Sequence, residues 1–400
     1  MKPDSAIAII EELRRHGHEA YLVGGCVRDM VMKIEPADYD IATSAHPEEI
    51  IRMFPRTESI GAQFGVVLVI YRGKPFEVAT FRSDEAYVDG RRPTGVVFTD
   101  VKQDVLRRDF TINGLLYDPT AKCVIDYVNG QADIQAKIVR AIGDPAARFE
   151  EDKLRILRAI RFGARLGYTI EPATWDAVRA MAPRIHQVSS ERIREELTRI
   201  LTEGQAARGF RMLEESGLHA QVIPELQWTE HIEQSLALVK QGAPADFAMA
   251  VLLHHTPVED VQRVVERLKF SRAEMHHILA LVESLPRFSQ VRQMSMSDLK
   301  RFFRLDRFQD HLELARIHAA EAAEELADYR HARHKREEFT DEEIWPLPLV
   351  TGDDLIALGF TPGPRFKEIL SMVEEEQLEG RLVSREAALE FVKRRWASAS

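Results

Sequence analysis

Two aspartates flank a tyrosine in the run Asp38-Tyr39-Asp40-Ile41-Ala42. On an extended strand, residues at i and i+2 face the same way, so the two carboxylates share one face while Tyr39 and Ile41 take the other. Carboxylates held that close repel each other, and a hard divalent cation such as Mg2+ removes the repulsion. A second constellation lies just upstream, Leu22-Val23-Gly24-Gly25-Cys26-Val27-Arg28-Asp29. Tyr21-Leu22-Val23 reads as a short buried strand ending in a Gly-Gly turn. Glycine admits positive φ and lets backbone N–H groups approach an anion. Arg28 could add a charge-assisted, bidentate contact to a phosphate. A triphosphate beside a divalent metal is the setting of nucleotidyl transfer, in which the metal activates a 3′-hydroxyl and stabilises the departing pyrophosphate. Either feature alone is commonplace, and an Asp-x-Asp is more often solvated or capping. Their order and short separation carry the reading.

Two further clusters extend it. In Arg107-Arg108-Asp109-Phe110-Thr111-Ile112-Asn113, adjacent arginines beside an Asp and an Asn could position a triphosphate and a ribose edge; on its own the run could equally be an exposed basic helix start. In Glu151-Asp152-Lys153-Leu154-Arg155-Ile156-Leu157-Arg158-Ala159-Ile160-Arg161, helical spacing makes Asp152 and Arg155 i,i+3 neighbours, with Arg158 and Arg161 continuing the row. That spacing is the usual mark of a surface salt bridge. It also fits base recognition. Cytosine and adenine each present an amino donor beside a ring-nitrogen acceptor, which a carboxylate and a guanidinium complement; uracil and guanine present the opposite ring nitrogen. An Asp–Arg pair would then select C and A without a nucleic-acid template.

The elements that must hold these residues change along the chain. Ala6 to His16 reads as a helix, and Phe64 to Tyr71 with Phe76 to Phe81 as a hairpin across Arg72-Gly73-Lys74-Pro75. The segment Asp84 to Thr99, rich in turn and charged residues, reads as a loop, either mobile near the site or an inert surface connection. From Asp144 onward the apolar spacing is helical almost throughout. An α+β head followed by a long helical region is the simplest account. The mixed-sign stretch Glu321 to Glu343 reads as a solvated helix face.

Composition bounds the answer without choosing it. Four hundred residues, 45% hydrophobic and 30% charged, suit a globular protein with more than one core. No apolar run approaches membrane-spanning length, Met1-Lys2-Pro3-Asp4-Ser5 lacks a signal-peptide pattern, and two cysteines fit a reducing cytoplasm. A net charge of −10 argues against indiscriminate coating of nucleic acid but leaves room for RNA held in a local basic groove.

Five segments together resemble the class II tRNA nucleotidyltransferase/poly(A) polymerase family: Gly24-Gly25-x-Val27-Arg28-Asp29, Asp38-x-Asp40, Arg107 to Asn113, Glu151-Asp152-x-x-Arg155 and Glu191-Arg192-Ile193-Arg194-Glu195-Glu196. They occur in the family's order across roughly residues 5 to 205. The resemblance implies a polymerase-β-like head, a small mixed sheet with helices over residues 1–140. It also implies a mostly α-helical remainder: neck 141–205 with the base-reading motif, body 206–345, and tRNA-binding tail 346–400. It implies Mg2+-dependent addition of CMP and AMP, from CTP and ATP, to a tRNA 3′ end. Asp38 and Asp40 would be metal ligands, with Glu77 a third catalytic carboxylate or a structural strand residue. Gly24, Gly25, Arg28, Arg108, Asp109 and Asn113 would hold the nucleotide, Asp152 and Arg155 would read the base, and Arg158 and Arg161 would support it.

Within the family, CC-only addition is disfavoured by the full-length Asp84–Thr99 loop, which CC-adding members shorten. The tail Leu347 to Phe391 resembles those of tRNA-directed members, and Arg394-Arg395-Trp396-Ala397-Ser398-Ala399-Ser400 is too short for the basic extension of many poly(A) polymerases. CCA addition is the favoured expectation, with A-only addition and poly(A) synthesis as alternatives. Glu230-His231 and Leu252-Leu253-His254-His255 resemble a His-Asp phosphohydrolase that has lost its aspartate, since His255 stands in its place. A non-catalytic RNA binder is the remaining reading, opposed by the intact Asp38/Asp40 pair.

Overall fold

The computed structural model describes residues 2–59, 65–84, 96–321 and 326–396. Most of the Asp84–Thr99 loop, residues 85–95, lies outside them. The chain forms two compact units, Met1–Ala248 with Arg263–Phe270, and Met249–Gln262 with Ser271–Ser400. No helix of the described residues is long and apolar enough to cross a membrane.

The first unit opens with the helix Lys2–Arg15, which buries Ala6, Ile9, Ile10 and Leu13, a single stripe at helical spacing. The strands that come after it are β1 (Ala20–Val23), β2 (Asp40–Thr43), β3 (Thr57–Glu58), β4 (Val66–Tyr71), β5 (Lys74–Thr80), β6 (Arg82–Asp84), β7 (Val96–Phe98), β8 (Leu115–Asp118) and β9 (Cys123–Asp126). Seven of them make one mixed sheet in the order β3-β4-β5-β2-β1-β8-β9, while β6 and β7 pair separately. Two strand registers set the surroundings of Asp40. Antiparallel pairing puts Val23 of β1 opposite Asp40 of β2, so the Gly24-Gly25 turn leaves the sheet beside Asp40. Parallel pairing puts Ile41 of β2 opposite Val78 of β5, which brings Glu77 alongside Asp40. The expected hairpin is present: β4 and β5 pair from Val66↔Ala79 to Tyr71↔Lys74. Arg72 and Gly73 turn it with φ of 50° and 75°, the paired positive values of a two-residue hairpin turn.

Among the described residues beyond β9, the only strands are the short parallel pair β10 (Ile138–Val139) and β11 (Thr169–Ile170), and the rest of the regular structure is helical. The neck is built on the helix Leu154–Leu166, whose Ile156, Leu157 and Ile160 are fully buried. The second unit is all helix among its described residues. Its C-terminal part has a core of Val350, Leu355, Ile369, Val373, Leu382, Ala388, Val392 and Trp396. Glu374 ties this part to the helix Met296–Phe303 and its C-cap, accepting from Arg301 at 3.2 Å and Arg304 at 2.6 Å. The mixed-charge helix Ala327–Glu338 buries only Ala332, as expected of a solvated face.

Candidate nucleotidyl-transfer site

One cavity of about 430 Å3 gathers Gly24, Gly25, Arg28, Asp40, Arg108, Asp109, Asn113, Asp152, Arg155, Arg158 and Arg161, residues that sequence reading drew from separate segments. Arg107, Phe162, Arg165 and Arg199 complete the lining. Eight arginines face three aspartates, so an acidic chain keeps a strongly cationic cavity for an anion. An adjoining cavity of about 440 Å3 is lined by Asp38, Asp40 and Glu77, with Asp40 common to both.

The carboxylates are crowded. Burial pushes Asp40 up to about 6, and Glu77 and Asp38 push the same way against Arg108. Asp38 is exposed just before β2, whereas Tyr39 is buried behind it, so the alternation read from the sequence holds. Two further carboxylates, Asp38 and Glu77, beside the partly buried Asp40 make a set of hard oxygen ligands that fits a hard divalent cation.

The glycine turn works differently from the expectation. Gly24 sits at φ 74°, but its N–H donates to Leu115 O at 3.1 Å and is not offered to the cavity. A Cβ there would lie 3.4 Å from Nη1 of Arg108, an ordinary contact, so it is the positive φ that calls for glycine. Arg108 spends Nη2 on Asp104 at 2.9 Å, while its buried Nε has no hydrogen-bond partner. Arg28, expected to reach a phosphate, has its fork engaged within the protein. Nε and Nη2 donate to Asp29 at 2.9 and 2.7 Å, and Nη1 donates to Asn113 Oδ1 at 2.9 Å.

From Arg28 a relay of charge and amide crosses the cavity wall. Asn113 Nδ2 donates to Asp109 Oδ1 at 3.1 Å, and Asp109 Oδ2 accepts two bonds from Arg158. Arg158 lies 3.6 Å from Glu196, which accepts from Arg161 at 2.7 Å. Burial would raise the Asp109 carboxyl, but Arg158, Asn113 and Arg155 outweigh it and hold it down at about 2. The Arg107-Arg108 run is not a helix start. Arg107 caps the C-terminal end of the helix Val101–Leu106, and Asn113 ends a short 3-10 turn, Thr111–Asn113.

Asp152 and Arg155 both line the cavity, but not as helical neighbours. The helix Pro145–Glu151 stops at Asp152, which has φ −142° and ψ 103°, and the next helix begins at Leu154. Asp152 Oδ1 accepts the Leu154 N–H at 3.1 Å, a local bond that competes with continuous helix. Its carboxylate is gripped by Arg192, at 3.1 and 2.8 Å. Arg155 instead donates to Glu151 at 2.8 Å and to the carbonyls of Arg148 and Arg107 at 3.0 and 2.9 Å.

Sequence reading missed Phe162, Arg165 and Arg199, and it singled out the Glu191–Glu196 segment without the pairing of Arg192 with Asp152 or of Glu196 with Arg161. Phe162 has the guanidiniums of Arg28, Arg158 and Arg161 over its ring at 5.4, 5.3 and 4.4 Å. A signal was there, since Arg165 continues the spacing of Arg155, Arg158 and Arg161 by one more turn. Arg199 lies too far along the chain to leave one.

Residues 20–140 match the poly A polymerase head domain family, and 167–229 the family described as "Probable RNA and SrmB-binding site of polymerase A". Residues 245–392 match tRNA nucleotidyltransferase domain 2. A CCA-adding enzyme of Streptococcus mutans is 34% identical over 97% of this chain and 96% of its own length. The chain belongs to the CCA-adding enzyme family. The CCA-adding enzyme of Bacillus stearothermophilus, solved in complex with CTP, superposes with a TM-score of 0.80 at 28% identity over 100% of both chains. The Thermotoga maritima CCA-adding enzyme, solved with tRNA, shares the fold with a TM-score of 0.66 at 20% identity, over 98% of this chain and 94% of its own. The expected fold class, an α+β nucleotidyltransferase head followed by helical regions, is thus the fold of the CCA-adding enzymes.

Proposed function

We propose that this chain completes tRNA 3′ ends by adding CMP and AMP from CTP and ATP, without a nucleic-acid template. The observation that carries this reading is the cavity that unites the Gly24-Gly25 turn and Asp40 with Asp152 and eight arginines, Arg155 among them. In this reading residues 1–140 are the catalytic head, 141–205 the neck, 206–345 the body and 346–400 a tRNA-binding tail, and the protein works in the cytoplasm.

The tRNA 3′-hydroxyl oxygen attacks the α-phosphorus of the nucleotide, a new P–O bond forms, and the bond to the β-phosphate oxygen breaks to release pyrophosphate. Asp38, Asp40 and Glu77 would hold Mg2+, which supplies charge neutralisation at the attacking and leaving oxygens. Arg108, which lines the cavity beside the Gly24-Gly25 turn, would donate to the triphosphate. Gly24 turns the chain at φ 74°, and Gly25 opens the helix Gly25–Val31 beside the cavity. Arg28, Asn113 and Asp109 hold Arg158 in place rather than meeting the phosphates themselves.

Asp152 and Arg155 would present acceptor and donor to the base edge, once Asp152 exchanges Arg192 and Arg155 exchanges Glu151 for the nucleotide. Exchange of one charge-assisted partner for another keeps both groups satisfied before and after binding. Arg161 and Arg165 add positive charge beside them.

Extension of three tRNA transcripts, ending before CCA, after C and after CC, tests the reading with Mg2+ and CTP or ATP. Completion to CCA on all three is expected. Addition of A to the CC-ended transcript alone would make the protein an A-adding enzyme, and long A tails would make it a poly(A) polymerase.

A further inference from the structure

His254 and His255 are consecutive, and the fold brings a third histidine to them. The helix Ala245–Leu253 ends at Leu253, and the chain turns at once, the Thr256 N–H donating to Leu253 O at 2.8 Å. That turn lets two consecutive side chains converge, which a continuing helix would send apart. Their ring centres lie 4.1 Å apart. His318, near the end of the helix Phe308–Glu321, places its ring 5.4 Å from that of His254 and 5.3 Å from that of His255. One ligand nitrogen from each ring lies within 4.8 Å of the other two, and among the described residues this is the group of three that gathers so closely.

The tautomer of His254 is set by its neighbour. Nδ1 lies 2.7 Å from Val251 O, and a carbonyl can only accept, so Nδ1 carries the proton and Nε2 presents a lone pair. A ring proton donated to a backbone carbonyl is the usual outer support of a metal-binding histidine. His254 is buried, His318 half-buried and His255 exposed, so the cluster runs from the interior to solvent and is open to an incoming cation. Tetrahedral Zn–N bonds of about 2.0–2.1 Å separate ligand nitrogens by about 3.3 Å, so the rings need close by no more than about 1.5 Å.

We propose that His254, His255 and His318 form a binding site for a transition-metal dication of the Zn2+ class. Imidazole nitrogen favours such ions over Mg2+, whereas the Asp38, Asp40 and Glu77 carboxylates favour the harder ion. The site shares no residue with the nucleotidyl-transfer cavity, and its role is to tie the turn after Leu253 to the helix that carries His318.

Co2+ takes the same ligands as Zn2+ and is coloured when bound by them. The full chain, titrated with Co2+ in excess Mg2+, is expected to bind one equivalent with a visible absorption band, to lose the band on addition of Zn2+, and to melt at a higher temperature. His255→Gln and His318→Gln should each weaken Co2+ binding about tenfold or more and abolish the band while still melting cooperatively. His255 is exposed, so that variant decides the matter should His318→Gln fail to fold. An unchanged band and affinity in His255→Gln would overturn the site, as would failure of the wild-type chain to bind Co2+ at micromolar concentration.

Discussion

Asp109 Oδ2 accepts both Nε and Nη2 of Arg158, at 2.8 and 2.7 Å, across 49 residues of sequence. This two-pronged bond joins the turn after the helix Val101–Leu106 to the helix Leu154–Leu166, and so fixes two walls of the cavity to each other. Its carboxyl is held down at about 2, with burial outweighed by Arg158. A depressed carboxylate contributes stability that is complete above the unfolded value and is lost as pH falls through the folded one. A depression of this size corresponds to roughly 2–3 kcal/mol. Asp109→Asn should therefore lower Tm at neutral pH and flatten its fall between about pH 4 and pH 2. Superimposable acid limbs for variant and wild type would show that the pair adds nothing.

Asp38→Asn and Asp40→Asn should each abolish nucleotide incorporation. Without divalent metal, Asp40→Asn should melt at the same temperature or higher, because burial and the neighbouring Glu77 and Asp38 disfavour the ionised Asp40. The sign comes from a folded value of about 6, raised above the unfolded carboxylate, which makes ionisation costly to the fold as pH rises. Near wild-type turnover in either variant would remove these residues from the metal site.

Base choice is the sharpest test of the neck. Asp152→Ala or Arg155→Ala should relax selection towards UTP and GTP or lower use of CTP and ATP together. Arg192→Ala removes the partner that Asp152 exchanges for the base and should change KM for CTP and ATP with Asp152 itself intact. Unaltered kinetics with all four triphosphates would leave these residues as structural ion pairs.

Phe162→Leu keeps the bulk and removes the aromatic face beneath Arg28, Arg158 and Arg161. Each contact is worth about 0.5–1 kcal/mol, so KM for CTP and ATP should rise roughly threefold to tenfold with kcat little changed. An unchanged KM would mean that the carboxylates alone position these arginines.

Much of this site was legible because its parts are local. The Asp38-Tyr39-Asp40 alternation, the hairpin about Arg72-Gly73 and the buried strand before Gly24 each depend on a few adjacent residues. The helix break at Asp152 was harder, because apolar spacing runs on through Leu154 and Leu157 while a single side-chain bond to the Leu154 N–H interrupts it. The partners of the arginines were not legible at all. Arg161 finds Glu196 35 residues away and Arg158 finds Asp109 49 residues away, and only the folded chain makes those pairs neighbours. Arg28 lines the cavity as its charge suggested, but its pairing with Asp29 and Asn113 was not legible from charge alone.

The turn at Arg72 and Gly73 carries a consequence for how this chain can vary. The two residues close the ladder at Tyr71↔Lys74, and that closure fixes which residue of β5 stands beside Asp40. A single inserted residue that slid β5 by one position would present Phe76 or Val78 where Glu77 belongs. Substitutions at the tip would be tolerated wherever they permit the positive φ values, but a change in its length would disarm a reaction centre several residues away. Natural variation in length should therefore spare this tip, even though nothing at the tip itself meets a substrate.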